Sequence, residues 1–493
     1  MNLLFSKKFQ TALVPDEFTA RRRGMSVLAG LFLLVLYGGA AAQTSLPIPV
    51  QSALNYRSVP HESLSIYVEE LESGNVVLAW NDAVPRNPAS VEKMLTTLVA
   101  LDTLGPTYSW KTDVYLLGEV QDGVLHGDLL LKGYGDPYLV IERLWQLTRK
   151  IRQSGINRID GDLIIDDSFF DIGEFDPAAF DREPLRAYNV APNALLANFK
   201  VVRYHFEPDV EAGAVTVVVE PPLENLQIVN RLKLVNGVCR GYQRGITISP
   251  AENLSKITFS GNFPNGCDFY AIDRTALGHN EFTFGLFQSL WQESGGEISG
   301  SWKKGVAADD AEPWFSFESL PLADIISKVN KHSNNVMARQ LLYTLGAEQL
   351  GIPGTEIKGR QAVEDWLARN GMNLDGLQLD NGAGLSRNSR MTARHLGEML
   401  RYAYASPYMP EYMSSLSLSG LDGTLSRRFQ NGALTGMAHI KTGSLDDVSA
   451  FAGYFQAKSG KRYIVAALQN HTDIHRGPGK EVQEALLRWL YER

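Results

Sequence analysis

Residues 87–104 read NPASVEKMLTTLVALDTL, the strongest structural pattern in the chain. After residue 90 the stretch is apolar on nearly every side, which predicts a helix buried inside a domain. Asn87 suits the N-cap of this helix, and Pro88 suits its first position. Ser90 and Lys93 then lie three residues apart on one helix face, so the lysine amine can reach the serine hydroxyl.

The pair Ser90 and Lys93 has the residue types needed for a serine nucleophile and its base. An unprotonated lysine can accept the serine proton if burial and neighbouring positive charge lower its pKa. Ser301 and Lys304 have the same spacing, but no apolar helix follows them, and we expect a surface loop there. The Ser-x-x-Lys spacing alone is therefore a weak signal.

A second motif, Ser333-Asn334-Asn335, lies between two predicted helices at 322–329 and 336–345. A hydroxyl and an amide at such a junction can both point into a cleft. The alternative is a simple helix cap, because Ser and Asn favour such positions. Only this context separates the motif from three other Ser-x-Asn matches, which begin at Ser73, Ser260 and Ser386.

A third motif, Lys441-Thr442-Gly443, ends a predicted strand and is followed by Ser444. The lysine and threonine offer a positive charge and a hydroxyl to a substrate carboxylate. Gly443 leaves room for a ligand beside the backbone. Taken alone, the triplet is also compatible with a β-turn.

Together and in this order, the three motifs resemble those of the serine penicillin-recognising enzymes. The spacing is similar to that of D-alanyl-D-alanine carboxypeptidases of the penicillin-binding protein 4 type, because 243 residues separate Ser90 from Ser333. Class A β-lactamases and smaller carboxypeptidases have a far shorter interval. Other stretches that fit this family are 133–137, 161–169, 188–199, 382–387 and 422–425.

The resemblance implies a role for each motif residue. Ser90 would attack the carbonyl between two terminal D-alanines, and Lys93 would accept its proton. Ser333, assisted by Lys441, would relay a proton to the leaving nitrogen. Asn335 would hydrogen-bond the amide backbone of the substrate, and Thr442 with Lys441 would hold the substrate carboxylate. The backbone N–H groups of Ser90 and Ser444 would form the oxyanion hole.

Two residues outside the motifs are further candidates for substrate binding. Asp166 and Arg428 could pair with a zwitterionic diamino acid in the stem peptide. The alternative is that both belong to structural ion pairs. We expect neither a metal nor an organic cofactor.

The predicted function is that of a serine D-Ala-D-Ala carboxypeptidase, with D,D-endopeptidase activity as a second reaction at the same site. Its substrates would be peptidoglycan stem peptides, and penicillin and other β-lactams would inhibit it by acylation. One alternative is a β-lactamase, which the long insert disfavours. The other is a non-catalytic peptidoglycan-binding protein, which the presence of both a nucleophile and a base disfavours.

The fold class expected is α+β, with a transpeptidase/β-lactamase-like domain made of a five-stranded antiparallel sheet flanked by helices. Residues 43–110 and 274–493 would form this discontinuous catalytic domain. Residues 111–273, rich in short strand-like runs, would form a large, mostly β insertion of two subdomains.

Composition limits the class of partner and the compartment. A net charge of -8 and a pI near 5.7 argue against a nucleic-acid binder. Residues 1–42 combine three arginines, a short apolar run and small residues, which predicts a signal peptide and export to the periplasm or cell envelope. The apolar run is short for a membrane span, so we expect cleavage rather than a permanent anchor.

The chain has two cysteines, Cys239 and Cys267. In an exported protein we expect such a pair to form a disulfide. The alternative is two buried thiols. Neither cysteine has histidines at metal-ligand spacing, so we expect no zinc site.

Overall fold

The computed structural model describes residues 45–241, 245–373 and 375–493. The predicted signal peptide, residues 1–42, lies outside the described residues. The helices are α1 Ile48–Tyr56, α2 Lys93–Leu104, α3 Ile141–Gln153, α4 His279–Glu293, α5 Leu322–His332, α6 Asn335–Leu350, α7 Glu356–Arg369, α8 Ala393–Ala405, α9 Met409–Ser415 and α10 Pro478–Tyr491.

The strands follow the alternation of turns and β-branched or aromatic runs in the sequence. They are β1 Leu64–Glu70, β2 Val76–Trp80, β3 Ser109–Gln121, β4 Val124–Gly133, β5 Arg158–Ile159, β6 Leu163–Asp166, β7 Val201–Asp209, β8 Ala214–Glu220, β9 Gln227–Val238, β10 Ile246–Pro250, β11 Lys256–Gly266, β12 Tyr270–Thr275, β13 Glu297–Ile298, β14 Trp302–Lys304, β15 Phe315–Pro321, β16 Ser417–Leu418, β17 Ala438–Leu445, β18 Val448–Gln456 and β19 Arg462–Asn470.

A central antiparallel sheet joins the two ends of the described chain. Its strand order is β16-β17-β18-β19-β1-β2, with Lys441 opposite Ala452 and Tyr67 opposite Ala466. The predicted fold class is therefore confirmed. The two-residue strand β16 adds a sixth strand to the five expected.

Helices cover both faces of this sheet, as predicted. Alternate residues of a strand point to opposite faces, and in β1 Tyr67 packs in a core with α2, α5, α6 and α8, whereas Ile66 and Val68 pack in a second core with α1 and α10. The amphipathic C-terminal helix buries Leu486 and Leu490 against the sheet. Ser90 lies at the start of the segment that leads into α2, on the first of these faces.

The middle of the chain forms separate sheets around a third core. A seven-stranded sheet has the path β13-β5-β4-β3-β15, with β6 and β14 paired off it, and two three-stranded sheets have the orders β10-β11-β9 and β12-β7-β8. Phe206, Phe259 and Trp291 are fully buried in this core. The middle is mostly β, with α3 and α4 packed against it.

The boundary predicted after residue 273 remains a prediction, and the hydrogen bonding argues for a later one. Strands β13, β14 and β15 pair with β5, β6 and β3 and not with the central sheet. We therefore propose that the insertion ends near Pro321, where α5 begins and the chain returns to the central sheet.

Cys239 and Cys267 form a disulfide with their Cα atoms 4.7 Å apart. The bond links the end of β9 to the segment just after β11, its parallel neighbour. It lies in the insertion and not beside Ser90.

In the described part of the chain, the helices are each too short or too polar to cross a membrane.

Candidate active site

A strained turn presents Ser90 to solvent. Ala89, the residue before it, has φ 46°, a left-handed conformation that is uncommon for a residue with a side chain. Asn87 holds this turn, because its side-chain oxygen accepts from the Ala89 N–H at 2.9 Å and its own N–H donates to Asn470 at 2.8 Å. Asn87 thus secures the turn to β19 and does not serve as the predicted N-cap of α2.

The chain then forms a short 3₁₀ turn, Ala89–Glu92, before α2 begins at Lys93. Lys93 Nζ lies 3.0 Å from Ser90 Oγ and 2.5 Å from Asn335 Oδ1, and it also bonds the Ala383 carbonyl. A neutral amine has two N–H donors and one lone pair. The two N–H groups can donate to the side-chain oxygen of Asn335 and to the carbonyl oxygen of Ala383. The lone pair is then free to accept the proton of the Ser90 hydroxyl.

Burial controls the charge of the groups around Ser90. It lowers the pKa of Lys93 well below its usual value, and the nearby positive charge of Lys441 lowers this pKa further. Burial also lowers the pKa of Lys441 to about 7. Glu92, which precedes Lys93, is fully buried, and burial raises its pKa to about 7.

At the junction of α5 and α6, three adjacent residues make different contacts. Ser333 has φ 56° and ends α5, while the Asn334 side chain caps α6 by accepting from the Met337 N–H at 3.0 Å. The cap is therefore made by Asn334. Ser333 and Asn335 are left to face the cleft, where they contact Lys441 and Lys93.

Strand β17 forms the opposite wall. Lys441 is fully buried, with Nζ 3.0 Å from Ser333 Oγ and 2.8 Å from the Thr442 carbonyl. The Thr442 hydroxyl donates to Thr424 Oγ1 at 2.9 Å. Gly443 is required by close approach, because a Cβ there would lie 2.6 Å from the Pro88 carbonyl oxygen.

The loop after Asp380 closes the site from a third direction. Gly384 has φ +68°, and a Cβ on it would lie 1.9 Å from the Ala89 carbonyl oxygen. The loop can therefore bring the Ala383 carbonyl to Lys93 only with glycine at this position. This contact uses only the backbone carbonyl of Ala383 and not its side chain.

Two clefts adjoin these residues. The larger, of about 490 Å³, is lined by Ser333 and Asn335 on one side and by residues of the insertion on the other. The second, of about 340 Å³, is lined by Arg387 and Asp380. The segment Ala187–Asn189 lies between them, because Tyr188 lines the first cleft and Asn189 the second.

Asp166 and Arg428 are placed away from these clefts. Asp166 is fully buried, accepts from the Ser168 and Ala307 N–H groups, and has Lys132 at 3.8 Å. Arg428 donates to Gln483 at 3.0 Å on the C-terminal helix. Of the two interpretations considered for this pair, the contacts favour the structural one.

One group of possible metal ligands exists among the residues that the structure describes. Asp447, Asp473 and His475 have ligand atoms within 4.8 Å of one another, near the end of β17. Asp447 and Asp473 are exposed, and His475 Nδ1 already accepts from the Asp447 N–H at 3.0 Å. Loop geometry accounts for their proximity.

All three predicted motifs converge on one place. Sequence reasoning did not identify two participants, the Ala383 carbonyl and the Thr424 hydroxyl. A backbone carbonyl has no side-chain signature, but Thr424 lies in the 422–425 stretch that fits the family pattern. Ser301, which has the same spacing to Lys304, is exposed and lies outside any strand, as expected. The next three residues form the short strand β14 and not a loop, and Lys304 pairs there with Asp167.

Comparison with known proteins gives a consistent result. The family model described as D-Ala-D-Ala carboxypeptidase 3 (S13) matches residues 47–493. A D-alanyl-D-alanine carboxypeptidase of an Actinomadura species is 28% identical over 96% of this chain and 91% of its own length.

Solved structures show the same fold. Penicillin binding protein 4 of Haemophilus influenzae superposes with a TM-score of 0.77 at 20% identity, covering 91% of this chain and 100% of that one. A second structure of that protein holds a β-lactam. A predatory endopeptidase of Bdellovibrio bacteriovorus gives a TM-score of 0.53 at 17% identity, covering 87% of this chain and 93% of that one.

Proposed function

The chain belongs to the D-Ala-D-Ala carboxypeptidase 3 (S13) family, as its three motifs predicted, and from this premise we propose how its residues perform the reaction. It is a serine-type carboxypeptidase that releases the terminal D-alanine of peptidoglycan stem peptides through an acyl-enzyme. The single observation that carries the assignment is the placement of Lys93 Nζ 3.0 Å from Ser90 Oγ in a fully buried setting.

In the first step Ser90 Oγ attacks the carbonyl between the two terminal D-alanines. Its proton passes to Lys93, which is able to accept it because burial and Lys441 keep its pKa low. The negative charge that develops on the carbonyl oxygen is stabilised by the N–H groups of Ser90 and Ser444. This assignment is supported by the close approach of the two segments, because a Cβ on Gly443 would lie 3.1 Å from the backbone nitrogen of Ser90.

Collapse of the tetrahedral intermediate breaks the peptide bond. The leaving nitrogen takes a proton through Ser333, whose Oγ is 3.0 Å from Lys441 Nζ. Lys441 and Thr442 hold the carboxylate of the departing D-alanine, and Asn335 bonds the substrate amide. Water then hydrolyses the ester, and Ser90 regains its proton.

Cleavage of D,D-cross-links is a second reaction of the same site. The larger cleft supports it, because the 490 Å³ beside Ser333 exceed what a single D-alanine needs. The acyl-enzyme formed is the same in both reactions. Only the group attached to the leaving nitrogen differs.

We further propose that residues 1–42 direct export and that the mature protein works in the cell envelope, where peptidoglycan is found. This proposal is supported by the signal-like sequence pattern and by the wall substrate of the family. A protease-protection assay on intact cells, with and without residues 1–42, tests it. Accumulation of the truncated chain inside cells is expected, and equal export of both forms would contradict the proposal.

The central test is intact-mass spectrometry of the mature protein mixed with benzylpenicillin. A persistent mass increase equal to one penicillin is expected for the unmodified protein and for Ser301→Ala, and none for Ser90→Ala. In parallel, a pentapeptide should lose D-alanine. A transient adduct with rapid penicillin hydrolysis would instead indicate a β-lactamase, and no adduct with peptidoglycan binding retained would indicate a non-catalytic protein.

A further inference from the structure

Three hydroxyl groups form a hydrogen-bonded network that begins at the lysine-threonine-glycine triplet. The Thr442 hydroxyl donates to Thr424 Oγ1 at 2.9 Å, and Thr424 Oγ1 lies 3.3 Å from Ser417 Oγ. We call these three groups the hydroxyl network. Ser417 is fully buried, Thr442 is half-buried and Thr424 is exposed. Under the proposed function, Thr442 is the member of the network that meets the terminal carboxylate of the substrate.

The Thr424 hydroxyl is held in place by the segment around it. Thr424 lies in the 3₁₀ turn Gly423–Leu425, which follows β16, and its N–H donates to Ser417 Oγ at 3.2 Å. Asp422, just before this turn, forms an ion pair with Lys331 on the last turn of α5. The turn is therefore bonded both to the central sheet and to α5.

Gly423 allows the turn to pack this closely. A Cβ on Gly423 would lie 2.3 Å from Ser417 Oγ and 2.9 Å from the Lys331 carbonyl oxygen. The residue also has φ +55°, a backbone conformation that glycine adopts without steric cost. Contact on these two sides fixes the Thr424 hydroxyl opposite Thr442.

The number of protons limits what the hydroxyl network can do. A hydroxyl group has one proton to donate and can accept two hydrogen bonds. In the structure Thr442 donates its proton to Thr424. A carboxylate can only accept, so Thr442 must turn its proton to the substrate in order to hold the carboxylate. The hydrogen bond between the two threonines is then kept only if Thr424 becomes its donor.

We propose that Thr424 is a positioning residue for the substrate carboxylate, and that the hydroxyl network reverses its direction when substrate binds. Ser417 then donates to Thr424, and Thr424 donates to Thr442. Thr442 in turn donates to the carboxylate. This inference rests on the proposed function and adds a residue to it. No proton moves from one oxygen to another, because each hydroxyl group only rotates.

The reversed network favours a carboxylate for two reasons. Each hydrogen bond in a series polarises the next, so that Thr442 becomes a stronger donor. A hydrogen bond to an ionised acceptor is also roughly twice as strong as one between neutral groups. Lys441 supplies the charge that attracts the carboxylate, and the network fixes the direction of the hydroxyl beside it. Thr424 therefore acts on the substrate only through Thr442.

The test is a double-mutant cycle between Thr424 and Thr442. Thr424→Val and Thr442→Val each remove one hydroxyl group and leave a side chain of similar size, and a third protein carries both changes. Thr424→Ser keeps the hydroxyl group. The matched control is Thr216→Val, which changes an exposed threonine on β8. For each protein, kcat and KM are measured for the release of D-alanine from the pentapeptide.

Thr424→Val should lower kcat/KM about fivefold to tenfold in the otherwise unmodified protein, because a hydrogen bond to a charged group is weakened. In the Thr442→Val background the same change should lower kcat/KM less than twofold, since the hydroxyl that Thr424 orients has been removed. Thr424→Ser should stay within twofold of the unmodified protein, and Thr216→Val should leave kcat/KM unchanged. Thermal unfolding midpoints confirm that each variant is folded.

The outcomes separate this inference from the proposed function. An equal effect of Thr424→Val in the two backgrounds, or no effect in either, would overturn the inference, because Thr424 would not act through Thr442. A loss in Thr424→Ser as large as in Thr424→Val would also overturn it, since the hydroxyl group would not be the cause. In these cases the unmodified protein still releases D-alanine, and the proposed function stands.

Failure of the unmodified protein to release D-alanine would overturn the proposed function and this inference together. If Thr424→Val does not fold, Thr424→Ala takes its place in the cycle, with the same expected values.

Discussion

Lys93 and Lys441 are both fully buried, and the positive charge of Lys441 is, after burial itself, the largest influence on the pKa of Lys93. Lys441 has a pKa of about 7. A substrate carboxylate that binds beside Lys441 would favour its charged form, and that charge in turn favours the neutral form of Lys93. Substrate binding and activation of the base are therefore coupled through this pair.

The first prediction concerns the pH dependence of acylation in Lys441→Met. Removing the positive charge raises the pKa of Lys93, so a higher pH is needed to obtain the neutral base. The acidic limb of the rate of acylation by penicillin should shift to higher pH. The rate is measured by intact mass from pH 5 to 9, with Lys303→Met, a surface lysine paired with Asp162, as control. A limb that stays in place would show that Lys441 does not act on Lys93.

Replacing the base itself should have a larger effect. We expect Lys93→Met to lower the acylation rate roughly 10²–10⁴-fold, the usual contribution of a positioned general base. The thermal unfolding midpoint confirms that the variant is folded. A folded variant whose acylation rate stays within threefold of the unmodified protein would show that another group takes the proton of Ser90.

Glu92 should make stability depend on pH. Its folded pKa of about 7 lies above its usual 4.5, so the folded state holds more protons than the unfolded state between these values. Stability is therefore lost as pH rises through this window. Relative to the unmodified protein, Glu92→Gln should gain stability from pH 4.5 to 7, by roughly 3 kcal/mol in total, and no more above it.

Urea unfolding at several pH values measures this difference. The matched control is Glu364→Gln, which changes an exposed glutamate on α7. Parallel pH curves for Glu92→Gln and the unmodified protein would mean that Glu92 has the same pKa in the folded and unfolded states, contrary to the prediction.

Arg428 should contribute to stability and not to substrate binding. Its bond to Gln483 ties the 423–430 segment to α10, and a charged hydrogen bond of this kind contributes about 1.5–3 kcal/mol. Arg428→Ala should lower the unfolding midpoint and leave KM for the pentapeptide within twofold. A large rise in KM with unchanged stability would restore the substrate-binding interpretation.

The disulfide should stabilise the insertion. Cys239 and Cys267 are 28 residues apart, and closing a loop of this size contributes about 3 to 4 kcal/mol in the chain-entropy model. The double change Cys239→Ala with Cys267→Ala should lower the free energy of unfolding by about that amount. The acylation rate at 25 °C should not change, because the bond lies away from Ser90, and a loss of acylation in a folded variant would contradict this placement.

Local patterns in the sequence determined the main elements and the motif residues. The apolar run after Ser90 predicted α2, and the strand-like run that ends at the Lys441-Thr442-Gly443 triplet predicted β17, because helix and strand patterns are properties of short segments. The order and spacing of the three motifs then identified the family. The end of the insertion did not follow from the sequence, since β13, β14 and β15 are short strands whose sequences do not show which strands they pair with.

Only the tertiary structure decided which groups meet. The Ala383 carbonyl reaches Lys93 across 290 residues, Asn87 bonds Asn470 and does not cap α2, and Arg428 contacts the C-terminal helix. These contacts join residues distant in the chain, and no local propensity encodes them. The low pKa of Lys93 has the same origin, because burial and the charge of Lys441 exist only once the chain is folded.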